Sequence, residues 1–535
     1  MTTINNMKAV LSLLLIPCSL FLSSCEQSFT PEQKDWDGTT KYYVSSDEKQ
    51  STTYYKPIAG FVGDPMPFFD PVNKDFKVLY LQEFRPNMVG TYHPFWGVST
   101  KDAANYTSLN EVLPTGSIAE ADAALGTGCV VYNEADKLYY IFYTANRHLP
   151  KAGEDAQIVM MATSPNFKTW TKDPLFRLRG VEYAYSSTDF RDPMVFFNDE
   201  DNLWHMIVAT KVGGKGNLVE FTSPDLKAWT HAGIFMSMMW DRFYECPDVF
   251  KMGDYWYLVY SEMHNAIRRV QYFKGKTLAD LKACTAGDAG IWPDNHEGFL
   301  DSRAFYAGKT ASDGTNRYIW GWCPTREGKD NTKTNSGSEP QWAGSLVAHR
   351  LIQHEDGSLT MGEVPGIKAK YSAQKTVKLM AQSETGVTFA NNAYTLEPNS
   401  YALFNRLEYH NHISMTVTTA DATDKFAISL CRGTDSEKYY TLIVNPESAT
   451  KRKINFEEEG TAGKGFIEAI DGYMFDTPSN NVYHIDIYTD NSVCVLYIND
   501  NVAYTNRIYG VQHNCWSVNS YNGNLTLSDL KITNY

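Results

Sequence analysis

The 535-residue chain carries a formal net charge of −14 at pH 7, with 43% hydrophobic and 14% aromatic residues. This composition is typical of a globular protein, and the length allows two or three domains. The negative charge argues against nucleic acid as a partner, because phosphate binding needs a basic face, and it disfavours an anionic substrate.

The N-terminus is predicted to be a lipoprotein signal peptide over residues 1–25. Lys8 precedes the apolar run AVLSLLLIPCSLFL, which is too short to cross a bilayer comfortably, and LSSC follows. This ending resembles a bacterial lipobox with Cys25 as the lipidated residue; an ordinary signal peptide with an incidental cysteine is the alternative. The expected location is the bacterial cell envelope, at the outer membrane. Whether the protein lies on the periplasmic or the outer face is left undecided. Residues 26–54 are polar and without periodicity, which is typical of a tether.

One pattern recurs five times in the next 300 residues: a short apolar strand, a polar turn and an aromatic-rich strand, which together predict a β-hairpin. The five copies begin at Gly63, Gly126, Arg191, Glu245 and Asp301. They recur at intervals of roughly 55 to 65 residues, and a second hairpin follows most of them. Two hairpins per unit predict an all-β, five-bladed β-propeller over residues 55–365.

An acidic residue opens four of the five copies: Asp64, Asp192, Glu245 and Asp301. In a propeller the first strand of each blade lines the central channel, so these carboxylates are expected to converge on one mouth of the channel. A single acid before a strand is usually a turn residue or a cap. Repetition at the same point of several units favours a functional cluster.

Converging carboxylates in an aromatic-rich protein point to glycoside hydrolysis, which needs one protonated carboxyl group and one ionised carboxylate near the anomeric carbon. The chain has no GxSxG, P-loop or HExxH motif, so no metal and no cofactor is expected. The seven cysteines after Cys25 show no CxxC spacing and are expected to be mostly free and buried. The dispersed histidines, His93 among them, are expected to be structural or to line subsites.

Several motifs together resemble glycoside hydrolase family 32, the fructan hydrolases and invertases. They are FRDP at 190–193, ECPD at 245–248, GDP at 63–65, and the segments DSRAFYAGKT, RYIWGW and QWAGSLVAHRL. The resemblance covers residues 58–355, and the β-rich remainder resembles the C-terminal β-sandwich of that family.

The resemblance implies a role for each acid. Asp64 would be the nucleophile, Glu245 the acid/base, and Asp192 the stabiliser of the transition state. Arg191 would bind sugar and keep Asp192 ionised, whereas Glu245 needs a raised pKa to act as an acid. Asp301 is a substrate-binding candidate, with a structural role as the alternative.

Tryptophan side chains are candidates for stacking on sugar rings. Trp96 and Trp342 lie in the family-like motifs and are the preferred sugar contacts, ahead of Trp240 and Trp322. Trp170 and Trp229 recur at one position of the repeat and are predicted to be structural.

The first motif departs from the family pattern. Gly63 and Met66 stand where the family has two asparagines, and no tryptophan stands two residues before Gly63. The loss of two amides predicts a less polar, wider floor and favours cleavage inside a polymer.

The remainder of the chain, residues 372–535, contains alternating segments such as HISMTVTTA and YHIDIYTD, separated by Asn, Asp and Gly turns. This pattern predicts a β-sandwich with a structural role.

The sequence thus predicts a lipid-anchored, retaining hydrolase of β-fructosidic bonds, leaning to an endo-acting levanase with a fructan as its partner. The alternatives are an exo-acting levanase or inulinase, an arabinan or xylan hydrolase of a neighbouring five-bladed family, and a non-catalytic fructan-binding lipoprotein. The sequence identifies no protein partner.

Overall fold

The protein is described by a computed structural model in which the chain is almost entirely β-structure. The structure describes residues 53–58, 60–84, 93–238, 242–264, 267–284, 297–326, 340–380, 386–432, 439–459, 473–508, 511 and 514–535. The predicted all-β class is confirmed. Within these residues the α-helices are two short ones, α1 (Leu278–Lys282) and α2 (Pro365–Lys370).

The first half of the chain forms five antiparallel units of four strands each. The first unit contains β1 (Phe61–Asp70), β2 (Asp75–Glu83), β3 (Phe95–Thr100) and β4 (Thr107–Leu113); the second contains β5 (Ala124–Asn133), β6 (Leu138–Asn146), β7 (Gln157–Ser164) and β8 (Thr171–Lys172). The third contains β9 (Phe190–Asn198), β10 (Leu203–Val212), β11 (Lys215–Ser223) and β12 (Thr230–Ser237). The fourth contains β13 (Glu245–Met252), β14 (Tyr255–His264), β15 (Ile267–Gly275) and β16 (Glu297–Leu300); the fifth contains β17 (Tyr306–Ser312), β18 (Arg317–Arg326), β19 (Pro340–Gln353) and β20 (Leu359–Gly362). In each unit the strands pair in chain order.

The first strands of the five units contact one another in a ring. β1 contacts β5, β5 contacts β9, β9 contacts β13, β13 contacts β17, and β17 contacts β1. The last and first units are also joined through the pairing of β1 with β19, at Val62 and Gly344. The starts of these five strands therefore lie close together, as the repeat predicts.

Each of the five first strands is interrupted by a β-bulge close to its start. The residues at the bulges are Gly63 and Asp64 in β1, Thr127 in β5, Asp192 and Pro193 in β9, Cys246 and Pro247 in β13, and Ala307 and Gly308 in β17. A bulge leaves a residue outside the ladder and redirects its side chain. Proline fits at this point because it has no N–H to donate. An acid followed by a proline and an apolar run, as at Asp192 and Pro193 in β9, is therefore the sequence of a bulged strand.

The second half of the chain forms two antiparallel sheets. Its strands are β21 (Ala373–Lys375), β22 (Val387–Ala390), β23 (Ala393–Leu396), β24 (Tyr401–Phe404), β25 (His410–Thr419), β26 (Phe426–Arg432), β27 (Tyr439–Pro446), β28 (Lys451–Glu459), β29 (Tyr473–Asp476), β30 (Val482–Asp490), β31 (Val493–Ile498), β32 (Val502–Arg507), β33 (Cys515–Ser520) and β34 (Leu525–Asn534). One sheet has the order β22-β23-β34-β25-β30-β31-β32 with β21 beside β34, and the other has the order β24-β33-β26-β27-β28-β29. Alternate residues of both sheets, such as Ile485 and Ile428, pack into one shared core.

The two halves are joined by buried polar contacts. Arg507 of β32 donates hydrogen bonds to the carbonyl oxygens of Cys323 and Pro324 in β18, at 2.8 and 2.9 Å. Asp301, in the turn before β17, accepts from the backbone N–H of Thr505 at 2.6 Å. The second half is therefore held against the first by buried hydrogen bonds to β18 and to the turn before β17.

Some predictions fall outside the described residues. Cys25, the signal peptide and the tether as far as residue 52 lie there, as does Trp240. In the part of the chain that the structure describes, no helix has the length and apolar character needed to cross a membrane. The six cysteines whose side chains are described are free and buried, as predicted.

Candidate active site

A cavity of about 250 Å³ opens where the first strands of the five units begin. It is lined by Asp64, Leu81, His93, Leu125, Gly126, Thr127, Asn146, Arg191, Asp192, Glu245, Cys246, Arg268, Tyr306 and Trp342. The structure thus brings Asp64, Asp192 and Glu245 into one cavity from β1, β9 and β13, together with Arg191 and Trp342.

Both carboxylate oxygens of Asp64 are held by neighbouring units. Thr127 of β5 donates its hydroxyl to Oδ2 at 2.7 Å, and the indole N–H of Trp322 in β18 donates to Oδ1 at 2.9 Å. Burial raises the pKa of Asp64; the two hydrogen bonds oppose this effect, and the nearby Glu245 adds to it. The two donors fix the orientation of the carboxylate, as a nucleophile requires.

Asp192 occupies the bulge of β9 with a φ of 58°. Its Oδ2 accepts from the backbone N–H of Cys246 at 2.9 Å, and its own N–H donates to Thr144 at 2.8 Å. Burial raises the pKa of Asp192 to about 7, although Arg191 and the Cys246 hydrogen bond act in the opposite direction. The expectation that Arg191 keeps this pKa low is therefore wrong: desolvation outweighs the guanidinium, whose Nε lies 4.0 Å from Oδ2.

Glu245 has 30% of its side chain exposed, whereas Asp192 is buried. Arg191 donates from Nη2 to its Oε1 at 3.1 Å, and the hydroxyl of Tyr306 donates to Oε2. An acid that exchanges protons with a leaving group and with water needs such access, so the exposure of Glu245 matches its predicted acid/base role.

Arg191 connects the acids to one another. Besides Glu245 and Asp192, its guanidinium bonds Asp189 at 3.1 Å and lies 3.8 Å over the ring of Phe243. Its five donors suit several carboxylates at once, which explains why an arginine stands at the start of this buried strand.

The family model of the "Glycosyl hydrolases family 32 N-terminal domain" matches residues 54–362, and the model "GH32, BT1760-like, C-terminal domain" matches residues 357–532. The chain belongs to glycosyl hydrolase family 32. Sucrose-6-phosphate hydrolase of Escherichia coli is 23% identical over 487 residues, which cover 86% of this chain and 91% of that protein. Fructan 1-exohydrolase w2 of Triticum aestivum is 24% identical over 330 residues, covering 56% of this chain and 51% of that protein.

Solved structures of family 32 proteins share the fold. Fructan 1-exohydrolase IIa from Cichorium intybus superposes with a TM-score of 0.68 at 14% identity, over 91% of this chain and 98% of that one. The β-fructofuranosidase of Bombyx mori superposes with a TM-score of 0.63 at 17% identity, over 92% and 94% of the two chains.

The packing around Gly63 explains why the first motif departs from the family 32 pattern at this position. A Cβ built on Gly63 would lie 2.3 Å from Cη2 of Trp342, so the indole fills the space of a side chain at position 63. Met66 is 1% exposed, and its sulfur accepts from the N–H of Gly128 at 3.1 Å, beneath the cavity. The predicted wider floor is therefore wrong: Met66 does not line the cavity, and an aromatic ring occupies the place beside Gly63.

Two of the predicted substrate contacts do not line this cavity: Trp96, and Asp301, whose contacts agree with the structural alternative. Asp301 has none of its side chain exposed and lies in the seam between the halves, 2.9 Å from His349 Nε2. It stands five residues before β17, whereas Asp64, Asp192 and Glu245 lie inside their strands, so its turn leads toward the second half of the chain. Trp96 is not among the lining residues; it packs on Phe84 and the core of the first half.

Several lining residues escaped the sequence analysis. Thr127 and Tyr306 come from units other than those of Asp64 and Glu245, the acids that they bond, whereas Arg268 lies in β15, in the same unit as Glu245. Trp322, considered as a sugar contact, is fully buried and serves as a donor to Asp64. Their position in the repeat was the indication that the sequence offered for two of them: Thr127 and Tyr306 lie near the start of the second and fifth copies.

The described residues contain one group of metal-ligating type, and it lies outside the cavity. Ligand atoms of Glu363, His412 and Asp486 are within 4.8 Å of one another. The ammonium of Lys368 lies 2.8 Å from Glu363, and His412 bonds Asp486 at 2.6 Å, so these groups compensate one another without an ion.

Proposed function

We propose that this protein is a retaining hydrolase of β-fructosidic bonds in fructans. The observation that carries the proposal is the convergence of Asp64, Asp192 and Glu245 on one cavity, with Asp64 held by two hydrogen bonds and Glu245 partly exposed. Family membership adds that relatives of this chain are hydrolases of sucrose-6-phosphate and of fructans.

The proposed reaction proceeds in two steps. Asp64 attacks the anomeric carbon of a fructosyl unit while the bond to the leaving oxygen breaks, and Glu245 gives that oxygen a proton. Glu245, now ionised, takes a proton from water, whose oxygen attacks the same carbon and releases Asp64. Asp192, when ionised, accepts hydrogen bonds from fructose hydroxyls, and Arg191 orients Asp192 and Glu245 during both steps.

The proposed architecture is a five-bladed β-propeller over residues 55–365 followed by a β-sandwich over residues 372–535. Support comes from the ring of first strands, the pairing of β1 with β19, and the shared core of the last two sheets. In this arrangement the catalytic acids lie at one mouth of the propeller channel.

Within the family we favour cleavage inside the polymer. Amide groups recognise the hydroxyls of a terminal fructose one by one, whereas an indole face binds a sugar ring by stacking wherever that ring lies in the chain. Residue 63 is a glycine and carries no side-chain amide, and the indole of Trp342 occupies the space that a side chain at this position would need. Levan is put first among the fructans because its linkage through the primary C6 hydroxyl is flexible.

Three other functions compete with this one. An exo-acting fructanase differs only in its products. A sucrose-6-phosphate hydrolase would use Arg268, whose partly buried guanidinium lies in the cavity wall 5.0 Å over the ring of Trp322, to bind the phosphate. A non-catalytic fructan-binding protein would keep the cavity without turnover. Membership of family 32 argues against the arabinan or xylan hydrolases of neighbouring families.

One experiment separates these functions. Purified protein is incubated with levan, inulin, sucrose and sucrose 6-phosphate, early products are resolved by chromatography, and the first-released anomer is followed by NMR. We expect levan oligosaccharides of several lengths before free fructose, with retention of configuration. Fructose alone from the first minutes would mean exo-action, preference for sucrose 6-phosphate would favour the relatives' activity, and no product would favour a binding protein.

We further propose that Cys25 carries a lipid and holds the enzyme at the bacterial outer membrane. This proposal is supported by the apolar run before LSSC and by the polar segment 26–54, which would act as a tether.

A further inference from the structure

A second cavity, of about 240 Å³, lies at the opposite ends of the strands that carry Asp192 and Glu245. It is formed by the end of β9, the turn that follows it, the end of β13 and the start of β14. Six residues of strand separate Asp192 from Asn198, so this cavity lies about 20 Å from the catalytic acids.

The floor of this second cavity is aromatic. Phe196, Phe250 and Trp256 are buried beneath it, and the rings of Phe196 and Trp256 are 5.7 Å apart. At its side Phe197 is 42% exposed and is supported by Trp204, whose ring lies 5.1 Å away. A large, half-exposed ring that is held in place by a neighbouring ring presents a flat face to a molecule bound in the cavity.

The rim is polar and carries both signs of charge. Asn198 and Asp199 lie on one side, and Lys251 meets Glu200 at 3.1 Å across the opening, with both side chains about half exposed. The half-exposed ring of Phe197 and the carboxylate, amide and ammonium groups of the rim suit a neutral polyhydroxyl ring: its C–H face stacks on Phe197 while its hydroxyls bond to the rim. Two carboxylates against one ammonium disfavour an anionic ligand.

We propose that this cavity is a secondary carbohydrate-binding site that holds one or two sugar units of the polymer, remote from the bond that is cleaved. The inference rests on the proposed function, because it takes the ligand to be a segment of the same fructan. A polymer bound at the second cavity is kept at high effective concentration near the catalytic mouth, whereas a short oligosaccharide cannot reach both places.

Binding is tested in a Glu245→Gln background, where the polymer is not consumed, by affinity gel electrophoresis with levan and inulin. Phe197→Ala removes the exposed ring, and Lys251→Ala removes a rim group. The control is Phe389→Ala, which deletes a more exposed ring (58%) on β22 in the second half of the chain. The loss of one stacking contact should weaken polymer binding roughly 3- to 10-fold in the first variant, with no change in the control.

Hydrolysis is then compared with Glu245 intact. Phe197→Ala should slow the breakdown of polymer at low concentration while leaving hydrolysis of a fructan trisaccharide unchanged. Unaltered polymer binding in both cavity variants, or equal losses on polymer and trisaccharide, would overturn the second site. If the wild-type protein hydrolyses no fructan but Phe197→Ala still loses polymer binding, the proposed function fails and the second site stands.

Discussion

Gly63 and Trp342 share one volume: a Cβ on Gly63 would lie 2.3 Å from Cη2 and 2.6 Å from Cζ2 of the indole. The two residues are brought together by the pairing of β1 with β19, and Trp342 in turn packs 4.7 Å from the ring of His93. Trp342 can occupy this position only because residue 63 is a glycine. The pair places an aromatic face, in place of the family's amide, beside Asp64, the proposed nucleophile.

The first prediction follows from this pair. Gly63→Asn should displace Trp342 and lower kcat/KM on levan at least about tenfold, because a sub-van-der-Waals contact of this size must move the ring. The remaining products should shift toward free fructose. Steady-state rates and early product profiles measure both effects.

A double variant is the control for the clash. Gly63→Asn combined with Trp342→Ala leaves room for the amide, so its rate should exceed that of Gly63→Asn alone if steric displacement is the cause. Additive losses in the double variant would contradict the shared volume.

A second prediction concerns the chemistry of the acids. Asp64→Asn or Glu245→Gln should lower kcat by several orders of magnitude while leaving the thermal midpoint near that of the wild type, because each removes covalent or proton-transfer chemistry. Glu134→Gln, an exposed acid in the turn between β5 and β6, is the control and should keep full activity. Near wild-type turnover in either catalytic variant would remove that residue from its proposed role.

Much of this arrangement could be predicted from the sequence, because strand alternation and turn residues are local signals. The five hairpins and the convergence of Asp64, Asp192 and Glu245 followed from a repeat in which an acid opens four of the five copies. Thr127 and Tyr306 could not be assigned, because their partners lie in other units and depend on closure of the ring. Asp301 was misplaced because the repeat aligned it with the other acids although its strand begins five residues later. Trp96 was misjudged because a motif does not tell which face of β3 is covered.

A third prediction uses the raised pKa of Asp192. Its carboxyl group titrates at about 7 in the folded protein and at an ordinary value of 3.8 in the unfolded chain. At a pH between these two values the folded state therefore holds a proton that the unfolded state has released. The stability that the protonated group contributes is complete below the unfolded pKa of 3.8 and is lost as pH rises through 7.

Asp192→Asn removes this titration. At about pH 8 the variant should be more stable than the wild type by about 2–4 kcal/mol, and this advantage should shrink toward about pH 5. Denaturant unfolding at several pH values measures it, with Glu134→Gln expected to follow the wild type. A difference that does not change with pH would show that burial does not shift this group.

The fourth prediction concerns the anchor. Cys25→Ala should release a membrane-associated protein into the soluble fraction, because the acyl chains would supply its strong bilayer affinity. Fractionation of cells expressing each form measures this, and Cys18→Ala, which changes the other cysteine of the N-terminal apolar run, should leave the distribution unchanged. Equal partitioning of the Cys25→Ala and wild-type proteins would mean that LSSC is not a lipobox.

The last prediction concerns Asp301, which the structure moves from substrate contact to the seam. Its Oδ1 accepts from the N–H groups of Ser302 and Thr505, both at 2.6 Å, and its Oδ2 meets the hydroxyl of Thr505 and the ring of His349. Asp301→Ala would leave these buried donors without an acceptor, and each buried polar group left unsatisfied typically costs about 1–3 kcal/mol. The thermal midpoint should fall, whereas KM and kcat per folded molecule should stay unchanged at low temperature. Asp301→Asn keeps an acceptor for Thr505 and should lose less. A variant with normal stability and a raised KM would instead return Asp301 to the substrate, because only a residue that touches the sugar changes binding without weakening the seam.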